Sequence, residues 1–138
     1  MLLDDSRHVG AARRCEDAML LHLAATGQLP STVTADGAPA ANSCCLTANC
    51  QVAIVWARLD AGPGGKNYRM GAVRALDLVM ATQELDADDP RARIRGSHPV
   101  WGRYAPMWLS NWAANVTSRM FCLLNGRTLL MRTKRWLL

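Results

Sequence analysis

Aromatic rings other than indole are nearly missing from this chain, which has one Phe and two Tyr among 138 residues. A core of stacked phenyl rings is therefore excluded, and aliphatic side chains, methionine and tryptophan must fill it. Long hydrophobic runs are missing too. The most apolar stretch, residues 50–57, is far too short to cross a bilayer. The opening stretch Met1-Leu2-Leu3-Asp4-Asp5 places two acids where a secretory leader carries basic residues, so no targeting segment is expected. Without a leader, Cys15, Cys44, Cys45, Cys50 and Cys122 read as reduced thiols of a cytoplasmic protein, and Asn115-Val116-Thr117 has no meaning as a glycosylation acceptor.

Half of the residues are hydrophobic and a fifth are charged, the balance of a globular domain with a real core. The net charge of +5 would suggest a nucleic acid if it were spread over a face. It is not. Arg127, Arg132, Lys134 and Arg135 carry most of it, and the rest of the chain is nearly neutral apart from Arg91, Arg93 and Arg95. Nucleic acid is not an expected partner. With Leu129, Leu130 and Trp136, the basic segment 127–138 could instead touch a membrane surface.

Hydrophobic spacing predicts four helices, near 6–26, 45–60, 67–84 and 111–124, with little or no sheet. Ser6 is placed to cap the first, where Val9, Ala12, Met19 and Leu23 share a face; Gly27 stops it and Pro30 follows. Residues 28–43, rich in Ser, Thr, Ala, Gly and Pro, read as a loop. The second helix carries Cys45, Asn49, Val52, Trp56 and Leu59 on one stripe and ends at Asp60-Ala61-Gly62-Pro63-Gly64-Gly65. The third, capped by Asn67, turns Tyr68, Ala72, Ala75, Leu76 and Val79 inward. The fourth turns Val116, Met120, Leu123 and Leu124 inward before Asn125-Gly126. Residues 85–110 read as a long ordered loop, a length that usually marks function. The fold class is therefore all-α, built from antiparallel helical hairpins.

Three stretches together carry a resemblance. Ser43-Cys44-Cys45-Leu46-Thr47-Ala48-Asn49-Cys50-Gln51-Val52-Ala53 resembles a helix start of the pattern Leu-Thr-Gly-Asn-Ala-Gln. Gly64-Gly65-Lys66-Asn67-Tyr68 resembles the turn and tyrosine that open the next helix. The run from Ile94 through Gly96-Ser97-His98-Pro99 to Trp101-Gly102-Arg103-Tyr104, followed by Asn111-Trp112-Ala113, is similar to the loop before an inner helix. The chain thus resembles bacterial α/α-toroid proteins of the terpenoid-cyclase and protein-prenyltransferase superfamily, of the kind associated with polysaccharide or lipid-linked biosynthesis. The resemblance implies part of an α/α toroid over residues 1–126, with 127–138 as a basic tail. It also implies that the helices form a fragment of a ring, whose uncovered apolar flanks self-associate or await the remainder of the toroid.

Several motifs invite chemistry. Asp86-Ala87-Asp88-Asp89 spells the acid motif of proton-donating cyclases, yet Arg91, Arg93 and Arg95 follow it and would favour ionised carboxylates, so a solvated acidic turn is expected. The spacing of Cys44, Cys45 and Cys50 lacks the second Cys/His pair that zinc requires, so no metal or cofactor is expected and each cysteine reads as a small buried hydrophobe. The stretch 60–67 has neither the Gly nor the Ser/Thr that a phosphate loop needs at its ends. His22 reads as a satisfied or surface side chain, and His8 as exposed.

The segment from Arg95 to Trp112 stands out. Arg95, Trp101, Arg103, Tyr104, Asn111 and Trp112 combine flat aromatic faces with hydrogen-bond donors, a mixture suited to a glycan, a glycolipid or an isoprenoid-type ligand. His98 is the group that titrates near neutral pH and is the catalytic candidate, as acid or base in a transfer, cyclisation or lyase step. Trp101, Arg103 and Tyr104 are expected on one concave surface with His98 at its edge, and Trp112 at the start of a packed helix. Two alternatives stay open: the tryptophans wedge the loop between helices, or the chain is a non-catalytic helical interaction module completed by another chain.

Overall fold

The computed structural model describes residues 6–62, 68–86 and 89–124. Among these, α1 (Ser6–Thr26), α2 (Leu46–Asp60), α3 (Tyr68–Ala81) and α4 (Asn111–Leu124) dominate, so the chain is mostly helical as its periodicity predicts. No helix of the described residues is long and apolar enough to cross a membrane. The expected cap Asn67, residues Ala87 and Asp88 of the acidic motif, and the basic segment 127–138 lie outside the described residues.

Three helix ends have a local cause on their own chain. Gly27 closes α1 in the left-handed region (φ 78°) and donates its N–H to the Leu23 carbonyl at 2.8 Å, a conformation costly for any residue with a Cβ. Cys45 sits before α2 in an extended conformation, and its sulfur accepts the Ala48 N–H at 3.4 Å. Ser110 caps α4, its hydroxyl oxygen accepting the Ala113 N–H at 3.2 Å.

The core lies where α2 meets α3 and α4. Tyr68, Ala72, Ala75, Leu76 and Val79 are all buried, as the α3 spacing predicts, and Gly71 joins them. Those small side chains let α2 come close, and Trp56, fully buried, fills the space above them. From α4, Ala113, Val116, Thr117 and Met120 are buried. Thr117 Oγ1 lies 3.2 Å from the Cys50 sulfur and donates to the Ala113 carbonyl at 2.7 Å, so the hydroxyl that joins two helices is itself satisfied. Leu123, expected inward, is exposed. The buried stripe steps from 113 to 117, 120 and 124, and at 100° per residue position 124 stays over it while 123 falls to its flank.

Helix α1 packs mainly on α3 and buries little of its length. Leu23 is buried and Met19 and Leu20 are partly so, but Val9 and Ala12, expected on the inner face, are exposed, because the near half of α1 extends past the core. Polar groups tie it down instead. The Tyr68 hydroxyl donates to the Asp17 carboxylate, and that hydrogen bond, with burial and the carboxylate charge, pushes the Tyr68 pKa up to about 12. Glu16 is pushed upward by burial, opposed by the neighbouring Trp56 N–H.

Short strands replace part of the expected loop. β1 (Cys44–Cys45) pairs antiparallel with β4 (Ser97–His98), Cys44 opposite His98 and Cys45 opposite Ser97. β2 (Glu84–Asp86) and β3 (Asp89–Arg93) pair antiparallel, with Glu84 opposite Arg93 and Asp86 opposite Asp89, so the two ends of the acidic motif stand opposite each other. Ladders of two to five residues are too short for an alternating pattern to show in sequence.

Two outcomes follow. A Cβ at Gly71 would lie 2.3 Å from Leu20 Cδ1 and 3.1 Å from Trp56 Cε3, so Gly71→Ala should lower stability by about 1–3 kcal/mol in a denaturant titration. Glu16 has a raised pKa in the folded chain, so its protonated form is favoured there and stability is lost as pH rises through that value. Glu16→Gln should flatten this dependence and melt higher than the parent at pH 7; an unchanged pH profile would exclude Glu16 as its source.

Candidate functional site

The loop before α4 is built on a central extended segment, residues 94–98. On one side it meets β1, and Leu46 N–H donates to the Gly96 carbonyl at 3.0 Å. On the other, Gly96 N–H donates to the Trp108 carbonyl at 3.0 Å and Ser110 N–H to the Ile94 carbonyl at 2.9 Å. The returning turn is fastened from within. Gly102 N–H donates to the Pro99 carbonyl and Met107 N–H to the Val100 carbonyl, both at 2.8 Å, while the Ser97 hydroxyl donates to the Tyr104 carbonyl. Gly102 has no alternative, since a Cβ there would lie 2.7 Å from Ser43 Cβ and 2.8 Å from Ser97 Cβ. Ala105 (φ 44°) and Met107 (φ 63°) hold positive φ values without being glycine, strain that the surrounding hydrogen bonds must sustain.

The tryptophans therefore do not hold this loop. Trp101, Trp108 and Trp112 are 75%, 72% and 72% exposed, and no wedge forms between helices. The expectation that Trp112 is a core residue is corrected: Ala113, the next residue, takes the inward position at the start of α4, and Trp112 points away from it.

The predicted site residues distribute over three open depressions. Trp101 and Arg103 line the first, about 350 Å³, with Asn42, Ser43 and Pro99. Tyr104 lines a second, about 440 Å³, with Trp112, Ser31, Thr47 and Gln51. Asn111 and Trp112 line a third, about 380 Å³, with Asn115 and Arg119. The single concavity expected for Trp101, Arg103 and Tyr104 is thus divided, because Tyr104 follows the bend toward the start of α2. Arg95 turns back on its own loop, donating from Nη1 to the Met107 carbonyl at 3.2 Å. His98 is exposed beside Pro99, its backbone paired with Cys44.

Burial pushes the Cys44, Cys45 and Cys50 thiols up, so they stay protonated at neutral pH and unreactive. Cys44, Cys45 and Cys50 are buried as expected, Cys15 is exposed and Cys122 half-buried, and all five are free. Among the described residues no group of three His, Cys, Asp or Glu side chains is placed to hold a metal ion. The notable group is Thr47. It is buried, it lines the second depression, and its hydroxyl has no hydrogen-bond partner, a condition that water or a ligand would relieve.

Sequence reasoning missed Ser31, Thr47, Gln51, Asn115 and Arg119. A signal existed. Thr47 and Gln51 are four apart on α2 beside its apolar stripe, and Asn111, Asn115 and Arg119 repeat that spacing on α4. Comparison with known protein families, curated proteins and solved structures gives no match.

Trp112→Ala should change stability by no more than about 0.5 kcal/mol, as for a surface position, whereas Trp56→Ala should cost roughly 3–5 kcal/mol. Thermal melts of the two variants check this, and a large loss for Trp112→Ala would place it back in the core.

Proposed function

We propose that this chain is a glycan- or glycolipid-binding helical module, part of an α/α toroid, that takes its ligand on the surface formed by the 95–112 loop and the start of α2. The observation that carries the reading is the exposure of Trp101 and Trp112 beside hydrogen-bonding side chains, with Trp108 exposed on the same loop. A flat indole covers the C–H face of a sugar ring, and neighbouring amides and hydroxyls orient its hydroxyl groups. Thr47, Gln51, Ser31 and Tyr104 around Trp112 supply that combination. An isoprenoid chain calls for an enclosed apolar cavity, and open depressions with polar walls suit it less. Should the module carry chemistry, His98 as acid or base and Arg103 as anion clamp are its groups, with Arg95 holding the loop.

A second reading is the interaction module completed by another chain. Met80 and Phe121 are both well exposed and flank an apolar depression of about 340 Å³ with Ile94, Ala114 and Cys122.

Titration of the chain with neutral oligosaccharides, followed by tryptophan fluorescence and calorimetry, tests the first reading. Binding is expected, with Gln51→Ala and Trp112→Ala each weakening it roughly tenfold while the melting temperature holds. An isoprenoid phosphate that shifts the fluorescence where no saccharide does would redirect the ligand class. A chain that answers to neither, yet associates with rising concentration in sedimentation, belongs to the second reading.

A further inference from the structure

Trp112 lines two depressions at once, and the two differ in chemistry. On one side stand Thr47, Gln51, Ser31 and Tyr104, neutral groups that donate and accept. On the other stand Asn111, Asn115 and Arg119, two amides and a guanidinium spaced along one face of α4. Among the described residues no acidic side chain lines either depression. We infer that the two form adjacent subsites sharing the Trp112 indole, and that the ligand is an anionic oligosaccharide of at least two units. Its neutral ring lies toward Thr47 and Gln51, and its carboxylate, sulfate or phosphate lies toward Arg119. This rests on the glycan-binding reading and goes beyond it by fixing length, charge and polarity.

The physical reasons are independent of one another. A single indole serving as wall to two depressions favours a ligand that continues past it, since one ring would fill only one side. The Thr47 hydroxyl, buried and unpartnered, can donate or accept, so a sugar hydroxyl can pair with it in either sense. Arg119 offers a planar fork of donors that matches a carboxylate or phosphate. Asn111 and Asn115, two turns and one turn N-terminal to it, leave that charge uncontested by any acid among the described lining residues.

The test uses the full chain and two panels of disaccharides, neutral and uronate-bearing, with glucose and glucuronic acid as single-ring controls. Uronate disaccharides should bind roughly tenfold tighter than their neutral counterparts, the low end for a hydrogen bond to a charged group, and tighter than glucuronic acid alone. That advantage should shrink as salt is raised. Arg119→Gln should erase it without weakening the neutral disaccharides, Arg119→Lys should retain part of it, and the exposed α3 substitution Arg74→Gln should leave both panels unaffected. Circular dichroism verifies that each variant is folded. Equal affinity for acidic and neutral disaccharides, or an acidic preference that survives Arg119→Gln, overturns this inference while leaving the glycan reading standing. Absence of binding to every saccharide overturns both.

Discussion

The close approach of α2 to α3 at Gly71 conditions most of what surrounds it. Trp56 occupies the space that a side chain at 71 would need, and Leu20 of α1 reaches the same point. Three helices therefore converge on one missing Cβ. Small residues at 72 and 75 extend the seam, so the two helices are set by backbone proximity as much as by side-chain volume. Once α2 is fixed against α3, its other side is fixed for α4, where Cys50 meets Thr117 and Ala113 lies flush.

From that seam the surface is positioned by backbone rather than by side chains. β1 runs directly into α2, so whatever pairs with β1 is registered against the helix start. Residues 94–98 do so on one edge and carry the 108–110 return on the other, which brings the loop that ends α3's excursion back to the first turn of α4. Ser43, Ser97 and Gly102 are packed too closely for any larger group, which pins the turn bearing Trp101 and Arg103. Because hydrogen bonds and close backbone contacts order the turn, its tryptophans are released to the surface. An exposed indole on an ordered backbone can meet a ligand with little ordering cost, whereas an indole on a slack loop would lose conformational entropy on binding.

The helices are legible because their apolar positions repeat over three or four turns, and every α3 position expected inward is buried, although the helix ends at Ala81 rather than at Glu84. What failed did so for physical reasons that can be named. Val9 matched the spacing of an inner face, but periodicity cannot tell that the helix outruns the core beneath it. Leu123 lost to Leu124 because the two positions differ by a fraction of a turn near a helix end. β1 and β4 were invisible since a two-residue ladder owes its existence to a partner far along the chain, Cys44 to His98, and no local pattern encodes that. The site was half legible. Aromatic density between 101 and 112 singles out a segment whose tryptophans are exposed, yet nothing in the composition says that a tryptophan next to a buried alanine faces outward. Thr47 and Gln51 carried the i, i+4 signal and were passed over because the apolar stripe beside them drew the reading.

The division of the surface bears on the difference between recognition and catalysis. A reaction needs a titrating group and an anchoring charge brought to bear on the same atoms within hydrogen-bond reach. Here His98 stands exposed at the β4 edge, Arg95 is committed to the Met107 carbonyl, and Arg103 and Arg119 border separate depressions. Binding tolerates such spacing, because each contact adds along the length of an extended ligand without having to meet the others at a point. The same geometry that spreads the polar groups along the loop and α4 therefore suits a chain of linked rings better than a single small substrate. Trp112, standing between two of the three depressions, is the residue on which that continuity depends.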